Sequence, residues 1–196
     1  LLAFMLGWLF GMAMNFSHGK DQMTETLSTA AEEGKKQIAI TFDDGPNPEY
    51  TMKLLEGLKK RGVKATFFVL GEEVERYPDI LKAAYDDGHL IGVHSYQHVN
   101  FGQIGDAAAL EQVEKTRQAI YDVTGEYTGY IRPPYGCWKK ELDQELPMIE
   151  VLWDIDPLDW ATKDADTVVQ RVLQKCPDGS IILLHDASES SVCAAF

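Results

Sequence analysis

The sequence is poor in cysteine and in positive charge. Only Cys137, Cys176 and Cys193 occur among 196 residues, too few for a disulfide framework and without the spacing of a zinc knuckle or a redox motif. We expect isolated thiols, and one disulfide beside a free thiol is the alternative. Lys and Arg number 18 against 31 Asp and Glu, which gives a net charge of -13. With no Lys/Arg-rich run, the chain is not expected to bind nucleic acid, because phosphate binding needs clustered positive charge.

Long apolar runs are also scarce, and the longest lies at the start of the sequence. Residues 1–14 carry no charge, but a full membrane span needs roughly 20 apolar residues. We expect residues 1–16 to belong to a membrane anchor or a signal segment, and an uncleaved anchor is favoured because no clear A-x-A cleavage motif follows. A buried helix is the alternative, although the run is apolar on every side. The polar residues 17–36 are expected to form a linker.

From residue 37 onward, strand-like apolar runs alternate with helix-like segments. The runs are residues 37–42, 65–70, 90–94, 129–132, 149–155 and 180–184, and the helix-like segments are residues 49–61, 78–87, 106–124 and 164–175. This alternation predicts parallel strands covered by helices, either as a barrel or as a doubly wound sheet. The candidate reactive residues follow several different strands, which favours the barrel, because α/β barrels build their sites from many strand ends.

Two segments indicate a metal site. Asp43 and Asp44 follow the first strand-like run, His94 ends the third, and His98 lies four residues beyond it. Adjacent carboxylates at the end of a buried strand repel each other unless a cation or a proton intervenes, although a turn alone also explains Asp-Asp-Gly-Pro. On a helical turn, two histidines four positions apart lie on one side and can share a metal. Two His and one Asp, with one position left for water, are typical of a catalytic metal site.

Three further segments place candidate functional residues near strand ends. Arg132 precedes Pro-Pro-Tyr-Gly, and an arginine at a strand end is a poor core residue unless it pairs with a carboxylate. Residues 153–160 combine two tryptophans with three acids, and an exposed tryptophan there could stack on a sugar, whereas a core tryptophan and an acidic turn are the alternative. His185 ends the last strand-like run, where a core histidine is the alternative to a functional one.

Together, the segments TFDDGP, HSYQH, RPPYG, DPLDW and LLHD resemble the motifs of the polysaccharide deacetylase family, the NodB-homology or carbohydrate esterase 4 group. They occur in the family's order between residues 41 and 186. The resemblance implies an α/β fold, a distorted (β/α) barrel with seven or so parallel strands, preceded here by the N-terminal apolar helix. Residues 37–196 would form the catalytic domain. Because family members usually continue with another helix and strand, we expect this domain to be truncated at its C-terminus.

The resemblance also assigns a role to individual residues. The divalent metal, most readily Zn²⁺, would be bound by Asp44, His94 and His98, a ligand set that Co²⁺, Ni²⁺ and Fe²⁺ also accept. The catalytic residues would be the general base Asp43, its partner Arg132, the backbone N–H of Tyr135 at the oxyanion, the general acid His185 and its orienting partner Asp159. The acetyl group would be bound by Trp160, Leu183 and Tyr135, and Ser95 would hold the histidine loop.

The implied function is metal-dependent removal of N-acetyl groups from N-acetylglucosamine residues of a polysaccharide. Peptidoglycan is the favoured substrate, because an N-terminal membrane segment places the domain outside the cytoplasm, anchored or secreted, and chitooligosaccharide is the next. An O-acetyl esterase of the xylan type and a catalytically inactive glycan-binding module are the alternatives. A purely structural, membrane-tethered protein is a third, but it would need neither the paired histidines nor the paired aspartates. The sequence leaves the oligomeric state open.

Overall fold

The computed structural model describes residues 36–196, of which Gln37–Phe196 form one compact unit. The apolar helix predicted over residues 1–16, and the linker predicted over residues 17–36 except for its last residue, lie outside the described residues. Within the described part of the chain, no helix is long and apolar enough to cross a membrane.

Six parallel strands form a single sheet in the described residues. They are β1 (Ala39–Asp43), β2 (Thr66–Val69), β3 (Leu90–Val93), β4 (Tyr130–Ile131), β5 (Ile149–Glu150) and β6 (Ile181–His185). Their order is β5-β4-β3-β2-β1-β6, and every neighbouring pair is parallel. The predicted α/β fold with parallel strands is therefore confirmed, with six strands in the described residues in place of the seven or so expected. The register aligns Asp43 with Phe68 and with His185, so that these strands end at one level.

The segment that follows β5 connects the two edges of the sheet. The Val151 N–H donates to the Ile131 carbonyl at 2.8 Å, whereas the Leu183 N–H donates to the Ile155 carbonyl at 2.9 Å, and Ile155 forms a parallel bridge with Ile182 of β6. The run predicted as one strand over residues 149–155 is regular only at its start, because its hydrogen-bond partner changes from β4 to β6. The sheet is thus a curled half-barrel, and residues 151–155 span its open side. This arrangement is consistent with a distorted barrel.

Six α-helices connect and cover the strands in the described residues. They are α1 (Thr51–Arg61), α2 (Gly71–Arg76), α3 (Pro78–Asp86), α4 (Asp106–Thr124), α5 (Ala165–Gln174) and α6 (Glu189–Ala194). Four of them match the predicted helix-like segments, and Gly62 ends α1 in the left-handed conformation with φ of 65°, as expected of a C-terminal cap. Helices α2 and α6 were missed, because six residues are too few to show an apolar period.

The apolar core lies between the sheet and the helices, and a polar interior lies on the other side of the sheet. Phe42 is fully buried and stacks on Phe67 with ring centroids 5.4 Å apart. Side chains alternate along a strand, so Thr41 and Asp43 point to the face opposite Phe42. Arg132, which is also fully buried, occupies this inner side. The carboxyl ends of the strands therefore surround a buried polar centre.

Candidate active site

The loops after β1 and β3 bring the three predicted metal ligands together. Oδ1 of Asp44 lies 3.5 Å from Nε2 of His94 and 3.5 Å from Nε2 of His98, and the three ligand atoms lie within 4.8 Å of one another. Atoms bound at about 2.1 Å to a tetrahedral ion are about 3.4 Å apart. The distances from Asp44 to the two histidines therefore match those between ligands around a common ion.

The chemistry of these side chains also fits a cation. Oδ1 of Asp44 is buried and has no hydrogen-bond partner among the described residues, which is costly for a carboxylate oxygen unless a cation lies beside it. Nδ1 of His94 lies 2.7 Å from the carbonyl oxygen of Arg132, so Nδ1–H donates and the lone pair of Nε2 faces Asp44. Burial lowers the pKa of His94 to about 4, which keeps its imidazole in the neutral form that binds metals.

The histidine loop is irregular, and not the helical turn that the spacing of His94 and His98 suggested. Ser95 and His98 adopt left-handed conformations, with φ of 67° and 55°. The Ser95 hydroxyl, which we expected to hold the loop, is buried without a hydrogen-bond partner among the described residues. Instead, Oε1 of Gln112 on α4 accepts the N–H groups of Tyr96 and Gln97, each at 3.0 Å. No sequence signal singled out this helical glutamine.

Asp43 and Arg132 form a buried ion pair beside the three ligands. The Arg132 Nη1–H donates to Asp43 Oδ1 at 2.8 Å and to Thr41 Oγ1 at 2.6 Å, and the guanidinium also donates to the carbonyls of residues 151 and 152 at 3.0 and 3.2 Å. Burial raises the pKa of Asp43 to about 6, although the charge and the hydrogen bond of Arg132 act to lower it. A carboxyl with a pKa near neutrality is suited to accept and release a proton.

His185 and Asp159 form a second pair at the end of β6. Nδ1 of His185 lies 2.8 Å from Asp159 Oδ1, and the backbone N–H of His185 donates to Asp159 Oδ2 at 2.8 Å. Burial lowers the pKa of His185, but the hydrogen bond to Asp159 and its charge outweigh burial and raise the pKa to about 9. The imidazole therefore carries a proton at neutral pH. Since His185 and Asp43 are paired on adjacent strands, a candidate proton donor and a candidate proton acceptor lie side by side at the carboxyl ends of the strands.

The remaining predicted residues, Tyr135, Trp160 and Leu183, lie on the segments that carry these side chains or on neighbouring loops, with different degrees of exposure. Tyr135 lies in the short turn Pro134–Gly136 with φ of 61°, and its ring contacts the His98 ring edge-on, with centroids 4.9 Å apart. Trp160 is 65% exposed, whereas Leu183 is 4% exposed. Leu183 lies two positions before His185 on β6, so the two side chains are on the same face of the strand. An open cleft of about 500 Å³ adjoins His98, one of the predicted metal ligands, and is lined by His98, Val99, Asn100, Gln103, Ile104 and Tyr135.

Asp186 is a buried acid near the site that the sequence did not single out. Its Oδ2 accepts from the Thr51 hydroxyl at 2.5 Å, while its Oδ1 has no hydrogen-bond partner among the described residues. Burial raises the pKa of Asp186 to about 7, and the charges of Asp44 and Asp43 raise it further. A Cβ atom at Gly45 would lie 2.1 Å from Asp186 Oδ2, so a side chain in the turn after Asp44 would force the buried Asp186 carboxylate to move.

Known proteins are similar to this chain in sequence and in fold. A family model described as polysaccharide deacetylase matches residues 30–150. The chain is 40% identical over 175 residues to peptidoglycan-N-acetylmuramic acid deacetylase PdaC of Bacillus subtilis, covering 87% of this chain and 38% of the relative. It is 37% identical over 159 residues to peptidoglycan-N-acetylglucosamine deacetylase PgdA of Listeria monocytogenes, covering 81% of this chain and 34% of the relative.

A solved structure of peptidoglycan deacetylase PdaC from Bacillus subtilis superposes with a TM-score of 0.80 at 41% sequence identity. The match covers 83% of this chain and 80% of the solved chain. By contrast, this chain spans less than two fifths of the full length of either curated relative, 38% of PdaC and 34% of PgdA. The similarity therefore concerns one domain of longer proteins.

Proposed function

The chain belongs to the polysaccharide deacetylase family, and we propose that it is a metal-dependent hydrolase that removes N-acetyl groups from N-acetylglucosamine residues of peptidoglycan. The observation that carries this proposal is the register of β1 and β6, which sets the carboxylate of Asp43 beside the imidazole of His185, next to a cluster of one Asp and two His that could hold a metal ion. The names of the relatives support a peptidoglycan substrate.

Asp44, His94 and His98 would hold a divalent metal, with Zn²⁺ favoured, since two imidazoles and one carboxylate suit it. Co²⁺, Ni²⁺ and Fe²⁺ accept similar ligands. When bound, such an ion polarises the acetamide carbonyl and lowers the pKa of a water toward about 7.

The two buried pairs would divide the proton transfers of amide hydrolysis. Asp43 accepts the proton of the attacking water, and Arg132 holds Asp43 in position and opposes the effect of burial on its ionisation. His185, protonated at neutral pH, gives its proton to the leaving nitrogen, so that acetate and a free amine are released. The backbone N–H of Tyr135 is proposed to donate to the oxyanion. Each proton transfer contributes roughly 10² to 10⁴ in rate.

The surroundings of the site suit a polymeric sugar. The cleft beside His98 is open and combines apolar with amide side chains, and the exposed ring of Trp160 offers a flat apolar face for a sugar. Trp160, Leu183 and Tyr135 are proposed to bind the acetyl-bearing unit. We place the protein outside the cytoplasm, anchored through residues 1–16 or secreted, where the polysaccharide lies, and no nucleic-acid partner is proposed.

Acetate release by the full chain tests this proposal. The protein is stripped by chelator and assayed with and without Zn²⁺ or Co²⁺ on N-acetylglucosamine oligomers and on peptidoglycan. Mass spectrometry of digested peptidoglycan then separates loss of acetyl from the glucosamine and the muramic acid units. Metal-restored release should vanish in Asp43→Asn and in His185→Ala, and should persist in Asp79→Asn, which alters an exposed acid on α3.

The negative outcomes discriminate among the alternatives. No acetate from a folded, metal-loaded chain on either glycan would refute the N-deacetylase proposal. Release from acetylated xylan alone would instead indicate an O-acetyl esterase. Binding of peptidoglycan without any release would indicate a glycan-binding module.

A further inference from the structure

The carboxylate of Asp159 has four hydrogen-bond partners, and one of them comes from a residue outside the five motifs. Asp159 is 1% exposed. Its Oδ1 accepts from the Trp160 N–H at 3.0 Å and faces His185 Nδ1 at 2.8 Å, while its Oδ2 accepts from the His185 N–H at 2.8 Å. The fourth donor is the hydroxyl of Ser191 on α6, which also reaches Oδ2. A carboxylate has about four lone-pair positions, so the Ser191 hydroxyl completes the set.

The direction of these hydrogen bonds follows from what each group can donate. An ionised Asp159 only accepts, so the single hydrogen of the Ser191 hydroxyl must point to Oδ2. The Ser188 hydroxyl, which lies within hydrogen-bonding distance of Ser191 Oγ, must then donate to it. Ser188 also accepts the Ser191 N–H at 3.3 Å as the N-terminal cap of α6. Ser190 Oγ, the other oxygen near the Ser188 hydroxyl, lies farther away, at 3.4 Å. The favoured arrangement therefore runs from Ser188 through Ser191 to the Asp159 carboxylate beside His185.

Helix α6 presents two buried serines with different targets. Ser191 is fully buried and donates to the side chain of Asp159. Ser190, which is 6% exposed, donates to backbone carbonyls of the same loop, to Thr162 at 2.9 Å and to Asp159 at 3.4 Å. Replacing Ser190 thus loosens the loop without touching the carboxylate, which makes it a matched control for Ser191.

We propose that Ser191 is a positioning residue for the general acid. Its hydroxyl holds the Asp159 carboxylate in the orientation that keeps Oδ1 on His185 Nδ1, and it thereby aims the other ring nitrogen of His185 at the leaving amine. This inference rests on the proposed function of His185. Without the Ser191 hydroxyl, Asp159 Oδ2 keeps only the His185 N–H as a donor. Because the site is buried, water does not replace the lost hydroxyl. The carboxylate then loses the contact that fixes its rotation.

Kinetics of the full, metal-loaded chain test this role. Ser191→Ala should lower kcat about 10-fold and leave KM within about twofold, because the contact acts on the acid and not on substrate binding. In the Asp159→Asn background the same change should lower kcat by less than about twofold, since residues that act through one another are not additive. Ser190→Ala should keep kcat within about twofold of the wild-type value.

Two results would overturn the proposal. One is that Ser191→Ala lowers kcat by the same factor in the wild-type chain and in the Asp159→Asn background. The other is that Ser190→Ala lowers kcat as much as Ser191→Ala does. If Ser191→Ala does not fold, Ser191→Cys takes its place, because a thiol, although larger than a hydroxyl, leaves no cavity and donates only weakly, and it should also lower kcat.

A measurement without substrate separates this inference from the proposed function. The Nδ1–H proton resonance of His185, assigned by its loss in His185→Gln, should shift or broaden in Ser191→Ala and remain in place in Ser190→Ala. An unchanged resonance in Ser191→Ala would overturn the positioning role whatever the activity. A changed resonance in a chain that releases no acetate would support the contact and contradict the deacetylase proposal alone.

Discussion

Replacing Arg132 by methionine should destabilise the fold far more than replacing an exposed arginine. Its guanidinium is fully buried and donates to Asp43, to Thr41 and to the carbonyls of residues 151 and 152. Removing one partner of a buried pair costs roughly 3–5 kcal/mol, because the other charge is left uncompensated. We therefore expect Arg132→Met to lower the free energy of unfolding by about 3–5 kcal/mol. Since domains have unfolding free energies of about 5–15 kcal/mol, most would remain folded after such a loss.

Urea unfolding with chelator present measures this loss without any contribution from a metal. Arg132→Lys keeps the charge, but one ammonium cannot serve acceptors on three sides, so we expect it to lose at least half as much. Arg76→Met is the control, because Arg76 pairs with Glu72 and Glu73 on the surface and its side chain is 56% exposed. Exposed pairs contribute less than about 1 kcal/mol.

A double-mutant cycle with Asp43→Asn provides the decisive comparison. In the double variant no charge is left uncompensated, so its loss of free energy should be smaller than the sum of the two single losses. A loss below about 1 kcal/mol in Arg132→Met, or losses that simply add, would refute the reasoning. Arg132 would then not hold Asp43 in place, and the ion pair would no longer support Asp43 as the base.

Three further predictions concern the acid, the metal turn and the metal. In Asp159→Asn the pKa of His185, which Asp159 helps to raise to about 9, should fall toward 6.5 in an NMR titration. A raised pKa stabilises the wild-type fold below pH 6.5, and that stabilisation is lost as the pH rises through about 9. The difference in unfolding free energy between wild type and Asp159→Asn should therefore shrink between pH 6.5 and about 9. Gly45→Ala should weaken metal binding at least about 10-fold by calorimetry, because its Cβ would collide with Asp186, whereas Gly129→Ala, where a Cβ meets nothing within 4 Å, should not. Metal at about 100 times its Kd should stabilise the wild-type chain by about 2.7 kcal/mol, reversibly with chelator, and should stabilise Gly45→Ala less. No stabilisation of the wild-type chain would contradict the proposed metal site, and equal shifts in the two chains would contradict the role given to Gly45.

The sequence predicted most of the sheet, although β5 is exposed, because a central parallel strand is largely buried on both faces. Its apolar run is then bounded by the polar residues at its end, as in the run that ends at Asp43 and Asp44. The segment over residues 149–155 shows where this reasoning stops. Its composition indicates a strand, but nothing in it reveals that the first residues pair with β4 and the last with β6. Pairing partners are a tertiary property that an apolar pattern does not encode.

The candidate site was predictable only as far as charged residues at strand ends reveal it. Asp44, His94 and His98 could be named, but the spacing of the histidines suggested a helical turn where the structure has a loop held by Gln112. Ser191 could not be found at all, because a serine in a short helix carries no pattern. Such supporting side chains act through contacts between segments distant in sequence, here 32 positions apart, which a reading of local motifs does not capture.

Backbone strain is concentrated in the loops that carry the proposed chemistry. The non-glycine residues with left-handed φ in the described chain are Asp44, Ser95, His98, Tyr135 and Leu158. Asp and His tolerate this region better than most residues, but Ser, Tyr and Leu do not, and each such residue costs on the order of 1 kcal/mol or more. Glycine would remove the strain at every one of them, yet at Asp44 and His98 it would also remove a side chain of the metal cluster. A fold that retains strain at two proposed metal ligands, and at the residue before Asp159, has its loop conformations set by the surrounding contacts and not by local preference.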